Sequence, residues 1–377
     1  MPTQSSTHPR ALLVSKPIAP PWNDSSKNLV KDLAHAGERY RYTLLGIKDS
    51  TWTPRPPVDI ESIFSRGSRF SPALRQNART FRRILRDDGT ALTHFFFAPN
   101  PKAAFAARVA LRLRPRRSVQ TVCSIPASFE HADRLLFAEK VIVLSHATRT
   151  RFIAAGIAED RLVHIPPGIV LPPLPSAPER RATRRRLGIP EKARVVIFPG
   201  DYQFSRAAQT FARAISRLRD PNFFFVFACR IKQPASRQIE ARIDADLRTA
   251  GIRHQTLMLN DVPNMIDLLG TCDACALPAE SLYAKMDLPL VLIEALALNL
   301  PIIVADVAPL TEFLDQTSGI GGASPPGDAA ALAASIQKEL ERGRRSASRR
   351  VAEERYEISS VARRVEALYD ELLARAP

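Results

Sequence analysis

Short apolar runs alternate with helical segments along almost the whole chain, and this alternation limits the possible fold more than any other feature. A first series of runs reads ALLVS, YTLLGI, THFFFAP, VQTVCS and KVIVLS, and a second reads RVVIFPG, FFFVFAC, ACALPA and PIIVAD. Apolar strands that alternate with helices are typical of parallel sheets with helices on both faces. We therefore predict an α/β protein with two doubly wound, Rossmann-like domains.

A proline-rich segment, RLVHIPPGIVLPPLPSAPE, separates the two series. Its proline density predicts an extended connection rather than packed structure. We assign residues 1–172 to an N-terminal domain, 173–190 to a linker and 191–349 to a C-terminal domain. Two such domains facing across a cleft predict a ligand in that cleft, at the carboxyl ends of the strands.

Composition is consistent with a globular protein of the cytoplasm. The chain has 377 residues, of which 45% are hydrophobic, enough for a large core. It contains no apolar run of transmembrane length, and its N-terminus lacks the apolar stretch of a signal peptide. Four cysteines in so long a chain do not form a disulfide framework, which indicates a reducing compartment.

Two short motifs resemble metal or redox sites but are interpreted as structural. Cys272 and Cys275 have neither a second cysteine pair nor nearby histidines, and they follow a helix and lead into a strand. Asp244 and Asp246 lie in a segment with the charge pattern of a solvent-facing helix. We predict no metal site.

The net charge of +16 is concentrated in the N-terminal half, where residues 65–117 hold 13 basic and 2 acidic residues. Its first helical segment has an apolar stripe flanked by arginines: Leu74, Ala78, Phe81 and Leu85, with Arg75, Arg79, Arg82 and Arg86 one position on. The second, KAAFAARVALRLRPRR, ends in an arginine cluster. Such a surface suits an anionic membrane or is simply a solvated face. No nucleic-acid-binding motif accompanies it, so no nucleic-acid partner is expected.

The segment KMDLPLVLIEALALNLPIIVAD, from residue 285, sets one carboxylate, Glu294, in an otherwise apolar helix. A helix that is apolar all round is expected to be buried, and a buried carboxylate needs hydrogen-bond donors. Glu294 is therefore either a structural acid or a ligand-facing one near a helix start, where free N–H groups attract phosphate.

The order of these segments resembles glycosyltransferase family 4, whose members have the GT-B architecture of two Rossmann-like domains. Its landmarks are KPIAPPWNDSSKN after the first strand, KVIVLSHATRTRFIAAGI, VHIPPGI, VVIFPGDYQFSRA, ACALPAES and the segment that carries Glu294. The resemblance covers almost the whole chain. It implies that the C-terminal helix, residues 350–377, completes the N-terminal domain.

This resemblance implies the transfer of a sugar from a nucleotide-sugar donor with retention of configuration, without a metal or cofactor. Glu294 corresponds to the second acid of the family's E-x7-E motif, which binds the ribose hydroxyls. The N–H groups of Leu290 and Val291 are expected to face the diphosphate. Arg206 replaces the usual lysine of the R-x-x-x-x-K pair.

Several positions depart from the family pattern. Met286 replaces the first acid of E-x7-E, which leaves Asp287 and Lys285 beside it as the candidate catalytic groups. Asp201 replaces the arginine of the pair. Arg230 and Lys232 are the cations expected to take over from it at the end of a neighbouring strand.

On the acceptor side, the family's glycine-rich turn is replaced by a loop whose polar and aromatic residues are expected to line the cleft: Trp22, Asn23, Asp24, Ser25 and Lys27. The sequence thus predicts a metal-independent hexosyltransferase acting on an unidentified glycan or lipid-linked acceptor, in the cytoplasm or at the inner face of the membrane. The alternatives are an inactive GT-B scaffold and a basic membrane-surface binding protein.

Overall fold

A computed structural model describes residues 8–48, 50–65, 74–98, 100–231, 233–283, 285–314 and 319–374. The chain divides into two compact units. Unit 1 comprises residues 1–170, 284–287 and 356–377, and unit 2 comprises residues 171–283 and 288–355. Each unit contains one parallel sheet and its helices, which confirms the predicted α/β class with two Rossmann-like domains.

The strands of both sheets run parallel. In unit 1 they are β1 Arg10–Ile18, β2 Arg41–Ile47, β3 Asp59–Phe64, β4 Thr90–Phe97, β5 Arg117–Val122, β6 Lys140–Val143 and β7 Leu162–His164. In unit 2 they are β8 Arg194–Asp201, β9 Phe223–Arg230, β10 Thr256–Leu259, β11 Ala274–Leu277, β12 Ile302–Ala305 and β13 Gly321–Ser324. Their spatial orders are β3-β2-β1-β4-β5-β6-β7 and β10-β9-β8-β11-β12-β13. Both follow the Rossmann pattern, in which the first strand lies inside the sheet.

The α-helices of the described residues are α1 Ser25–Ala36, α2 Leu74–Leu85, α3 Pro101–Leu113, α4 His146–Ala154, α5 Ala177–Arg186, α6 Ala207–Ile215, α7 Pro234–Thr249, α8 Met265–Thr271, α9 Leu290–Ala297, α10 Ala329–Arg342, α11 Ser346–Tyr356 and α12 Ile358–Ala374. None of these described helices has the length and apolar character that a membrane crossing requires.

Both faces of the unit 1 sheet are covered, as the apolar runs predict. Along β1, Ala11 and Leu13 belong to a core cluster on one face, whereas Leu12 and Val14 belong to a cluster on the other. All four side chains are fully buried. Strands with two buried faces read as continuous apolar runs, and for this reason the interior strands were predictable.

The C-terminal helix α12 packs into the core of unit 1, in agreement with its amphipathic pattern. Its apolar face is at most 5% exposed and consists of Val361, Val365, Leu368 and Leu372. On the same helix, the buried carboxylate of Glu366 accepts a hydrogen bond of 2.9 Å from the Tyr42 hydroxyl and one of 3.0 Å from the Arg39 amide. A buried carboxylate with these donors attaches α12 to the start of β2.

Two sequence-based expectations differ from the structure. Part of the segment assigned as a linker forms α5, because Arg184 is buried and donates to the carbonyl of Thr271 and the carboxylate of Asp273. The apolar stripe predicted for α2 is confirmed only in part, since Phe81 and Leu85 pack against the core of unit 1 but Ala78 is exposed. The buried face also includes Arg83, which is paired with Glu61 of β3.

Both motifs that were interpreted as structural are so in the structure. Cys272 directly follows α8 and Cys275 lies in β11. Both are fully buried, and burial raises the pKa of Cys272 to about 12 and that of Cys275 well above its usual range. Both therefore remain protonated thiols at neutral pH. Asp244 lies on α7 and accepts hydrogen bonds from Arg248 and Arg253 of the same region.

The attachment of α12 predicts a stability effect. Glu366→Ala leaves the Tyr42 hydroxyl and the Arg39 amide without their acceptor, so we expect a loss of about 2–3 kcal/mol in the free energy of unfolding. Urea denaturation measures this loss. The matched control is Glu354→Ala, at an exposed helical position of α11, which should change stability by less than about 0.5 kcal/mol. Equal effects of the two substitutions would contradict this account of α12.

Candidate functional site

The candidate site of unit 2 lies where its strand order reverses. β8 pairs with β9 on one side and with β11 on the other. The connections that leave β8 and β11 therefore run to opposite sides of the sheet, and the carboxyl ends of these two strands border an open crevice. The loop after β8 and the loop after β11 are the segments that reach this crevice.

A hydrogen bond joins these two loops. The backbone N–H of Arg206, the residue before α6, donates to Oε1 of Glu280 at 2.6 Å. Arg206 is exposed, whereas the other carboxylate oxygen of Glu280 is buried and lacks a hydrogen-bond partner among the described residues. The Glu280 carboxylate thus fixes the start of α6 and keeps the predicted cation, Arg206, at the carboxyl edge of β8.

Helix α9 follows the β11 loop and is buried on almost every side, as predicted. Val291 and Glu294 are its two partly exposed residues, and they lie one turn apart on the same face. Glu294 is therefore not enclosed on every side, and its role as a ligand-facing acid stays a prediction. No side chain caps the first turn of α9, so the N–H groups of Leu290 and Val291 are not used by a capping residue.

Asp201, which stands where the family has an arginine, shapes the loop after β8. It is 4% exposed, and its Oδ1 accepts hydrogen bonds from the amides of Gln203 and Phe204 at 3.2 and 3.1 Å. Arg230 is the register partner of Asp201 on β9 and is partly exposed. The predicted replacement cation thus ends its strand directly beside the substituted position. Lys232 lies outside the described residues.

The segment that carries the remaining candidates, residues 285–287, belongs to unit 1. The Asp287 amide donates to the carbonyl of Cys123 at 3.0 Å, and the Thr148 hydroxyl donates to the Asp287 carboxylate at 2.8 Å. Met286 forms an antiparallel bridge with Ser124. Asp287 is fully buried, and its hydrogen bond with Thr148 anchors this segment at the first turn of α4. Lys285 is partly exposed two residues earlier.

The loop after β1 lies at the corresponding reversal of the unit 1 sheet, between β1 and β4. Asp24 caps α1 through the amides of Ser26 and Lys27 and accepts a hydrogen bond of 2.8 Å from Lys16. Burial by itself would raise the pKa of Asp24, but the charge and hydrogen bond of Lys16, together with the bonds from Ser26 and Lys27, hold it well below its usual range. Asp24 is therefore ionised at all physiological pH values.

The other acceptor-side candidates brace or border the same loop. Lys27 donates to the carbonyls of Ala19 and Pro21 at 2.6 and 3.1 Å, and burial lowers its pKa. Trp22 packs edge-on against Trp52 with 5.0 Å between ring centroids. Two lysines lie within 6 Å of the Trp22 ring, at 5.7 Å for Lys27 and 5.3 Å for Lys31. This arrangement gives the loop a fixed aromatic and cationic surface.

Asn23 is exposed and Ser25 is the partly exposed first residue of α1. The structure thus brings all five acceptor-side candidates together at the end of β1. Sequence reasoning missed Lys16, Glu280 and Thr148, each of which holds a candidate residue or its loop in place. Lys16 and Glu280 directly follow apolar strand runs, and that position is the signal that marks them.

The pairing of Asp24 with Lys16 predicts a pH-dependent contribution to stability. Asp24→Asn keeps a good N-cap residue but removes the charge, so we expect it to cost about 1 kcal/mol at neutral pH, since Lys16 is 40% exposed. The folded-state pKa of Asp24 lies below its ordinary value of 3.8. The contribution is therefore present above that value and disappears as the pH falls through the folded-state pKa.

Urea denaturation of both proteins, at neutral pH and in acid below about pH 3, tests this sign. The difference between wild type and variant should shrink in acid. A difference that stays constant or grows as the pH falls would show that the Lys16–Asp24 pair is not its source.

Comparison with known proteins finds similarity to a family over part of the chain. Residues 179–357 match the sequence model described as glycosyl transferases group 1. A D-inositol 3-phosphate glycosyltransferase from Xylanimonas cellulosilytica is 28% identical over 267 residues, which cover 66% of this chain and 62% of that protein. The alignment thus spans less than two thirds of this curated relative.

Solved structures share the fold over nearly the full length. HepE of Anabaena, in complex with UDP and glucose, superposes with a TM-score of 0.74 at 16% identity, covering 96% of this chain and 100% of that one. Sucrose-phosphate synthase of Thermosynechococcus elongatus gives a TM-score of 0.74 at 18% identity, with 98% and 100% coverage. The chain thus shares the fold of these structures, with two Rossmann-like domains, and residues 179–357 are similar to the group 1 glycosyl transferases.

Proposed function

We propose that this protein is a retaining glycosyltransferase of family 4 that transfers a hexose from a nucleoside diphosphate sugar to a glycan or lipid-linked acceptor. The observation that carries the proposal is the accessible face of α9. Of eight helical residues, Val291 and Glu294 alone are partly exposed, at the strand-order reversal of unit 2. This helix lies inside the region that matches the group 1 transferases.

The donor would be held by groups at the carboxyl edge of the unit 2 sheet. Glu294 suits the ribose, because a carboxylate accepts hydrogen bonds from two adjacent hydroxyls. The N–H groups of Leu290 and Val291 suit the diphosphate at the start of α9. Arg206 and Arg230 supply cations near the same edge, each able to bind a phosphate through two N–H groups.

Catalysis in this proposal consists mainly of stabilising the leaving nucleoside diphosphate. Negative charge grows on the phosphates as the bond between the sugar and the phosphate breaks, and fixed cations and N–H dipoles lower the free energy of that state. Lys285 and Lys232 are the further cations assigned to this task. Asp287 acts as a positioning residue, since its hydrogen bonds with Thr148 and Cys123 orient the segment that carries Lys285.

The acceptor would bind unit 1 at the loop after β1. Trp22 offers an apolar ring face to a sugar, and Lys16 and Asn23 offer hydrogen bonds next to it. The curated relative is a D-inositol 3-phosphate glycosyltransferase, and the HepE structure holds UDP and glucose. These descriptions support a nucleotide-sugar donor, and they leave the acceptor of this protein as an unidentified glycan or lipid-linked molecule.

Donor binding is tested by thermal shift with UDP-, GDP- and ADP-sugars. We expect one class to raise the melting temperature at concentrations above its Kd. Glu294→Ala and Arg206→Ala should each lower the affinity for that nucleotide sugar by about tenfold to hundredfold, because each removes one charged hydrogen-bonding group. Arg206→Lys, which restores the family's usual residue, should recover most of the affinity.

The control is Arg237→Ala, an exposed arginine on α7 of the same unit, which should leave donor affinity unchanged. If no nucleotide sugar shifts the melting temperature, the transferase proposal fails in favour of an inactive scaffold. If a donor binds and both site variants bind it as tightly as the wild type does, the assignment of Glu294 and Arg206 is wrong.

The reaction is proposed to need no metal ion and to retain the anomeric configuration. Arginine and lysine side chains together with N–H dipoles take the place of a cation at the diphosphate. The described residues hold no group of three His, Cys, Asp or Glu that could bind a metal. We expect donor turnover to be unchanged by EDTA, and NMR of the first-formed product to show the anomer of the donor. Loss of turnover in EDTA that Mg²⁺ or Mn²⁺ restores would contradict metal independence, and the opposite anomer would contradict retention.

A further inference from the structure

Helix α3 has an inverted distribution of apolar side chains. Its buried face is made of small residues, Ala104, Ala107 and Ala110, each at most 3% exposed. Its large apolar residues Phe105 and Leu113 are directed outward and are 67% and 65% exposed. Most large apolar side chains in a folded domain are buried, so two on one short helix face call for an external apolar partner.

The residues around Phe105 and Leu113 are basic. At 3.6 residues per turn, Lys102, Phe105, Val109, Arg112 and Leu113 lie within about 100° of arc on α3. Lys102 and Arg112 are exposed, and Val109 is partly exposed. Apolar side chains and cations thus alternate on one face, the pattern of a helix that lies in the plane of a membrane interface.

The neighbouring helix α2, which packs against α3, extends this charge. Its exposed cations are Arg75, Arg79 and Arg82, followed by Arg86 just after the helix. No acidic residue occurs in α2 or α3. None of these four arginines, nor Lys102 or Arg112, forms an ion pair with another described residue. By contrast, the nearby Asp87 and Asp88 are paired with Arg114, Arg83 and Arg116.

We propose that α2 and α3 form a docking surface for an anionic lipid bilayer, in which Phe105 and Leu113 insert at the level of the headgroups while the arginines bind lipid phosphates. Basic side chains near an anionic leaflet and apolar side chains buried in its interface contribute separately to binding. Both contributions come from the same side of unit 1.

The apolar residues favour a bilayer over the other anionic partner, nucleic acid. Single-stranded nucleic acid is bound by aromatic residues on which bases stack and duplexes by motifs that enter a groove, and neither explains an exposed leucine among the cations. A bilayer uses both Phe105 and Leu113. The inference does not depend on the transfer reaction, because no residue of this surface belongs to the candidate donor or acceptor site.

The test is flotation of the full-length protein with vesicles of phosphatidylcholine and with vesicles in which part of it is replaced by phosphatidylglycerol. We expect recovery with the anionic vesicles only, decreasing as salt is raised. Arg79→Gln and Arg82→Gln should each lower the partition coefficient about fivefold. The double variant Phe105→Ser, Leu113→Ser keeps every charge and should lower it by at least roughly tenfold.

The matched control for charge is the double variant Arg237→Gln, Arg242→Gln on α7, two exposed arginines of unit 2. It removes the same charge and should float as the wild type does. All variants change exposed positions, and equal urea unfolding midpoints verify that each is folded. A Phe105→Trp variant adds a direct readout, since brominated lipids should quench its fluorescence beyond the quenching of the two native tryptophans.

Equal recovery with neutral and anionic vesicles, or none with either, overturns the proposal. The proposal is also overturned if the Phe105→Ser, Leu113→Ser variant floats as the wild type does, because binding would then come from charge alone. Retention of RNA on this surface without flotation would assign it to nucleic acid instead. Each of these outcomes leaves the thermal shift by a nucleotide sugar unaffected, so the two proposals fail independently.

Discussion

The position of the first strand inside each sheet determines where chemistry is possible in this protein. β1 lies between β2 and β4, and β8 lies between β9 and β11. Both strands have two buried faces, so neither can shift along its neighbours without exposing apolar side chains or burying polar ones. The sequence changes from apolar to polar where these strands end. The end of β1 and the loops after β1 and β8 are consequently the places where Lys16, Asp24 and Arg206 can occur at an accessible edge of a stable core.

At those edges, the residues that differ from the pattern of family 4 hold their loops in place through hydrogen bonds. Asp201 cannot replace an arginine as a phosphate ligand, but it closes the turn after β8 through two backbone amides. Glu280 then binds the amide of Arg206, which leaves the guanidinium of that residue available. After β1, a loop braced by Lys16 and Asp24 stands in place of a glycine-rich turn. In both loops, hydrogen bonds that involve side chains fix the conformation of the backbone.

Sequence patterns predicted the interior of both sheets and missed their margins. The strands that were not recognised, β3, β7, β10 and β13, are the four edge strands. An edge strand has a neighbour on one side only, so it can be short or poorly apolar, as in LVH of β7 and GGAS of β13. The apolar α9 was predicted because burial on nearly all sides requires it. The roles of Asp24 and Asp287 were not, since a carboxylate's hydrogen-bond partners come from residues distant in sequence.

Helices α2 and α3 show why a helical period alone does not reveal which face is buried. Arg83 of α2 lies inside because Glu61 and Asp88 compensate its charge, and Phe105 of α3 lies outside because alanines allow close packing at the opposite face. Helical period and composition also predicted the buried face of α12, and there the prediction is confirmed. Unlike α3, α12 meets hydrogen-bond partners in the core for its polar groups, such as Tyr42 for Glu366. The burial of a face depends on the partners that the rest of the fold provides, and an apolar face without such partners is left for a surface outside the chain.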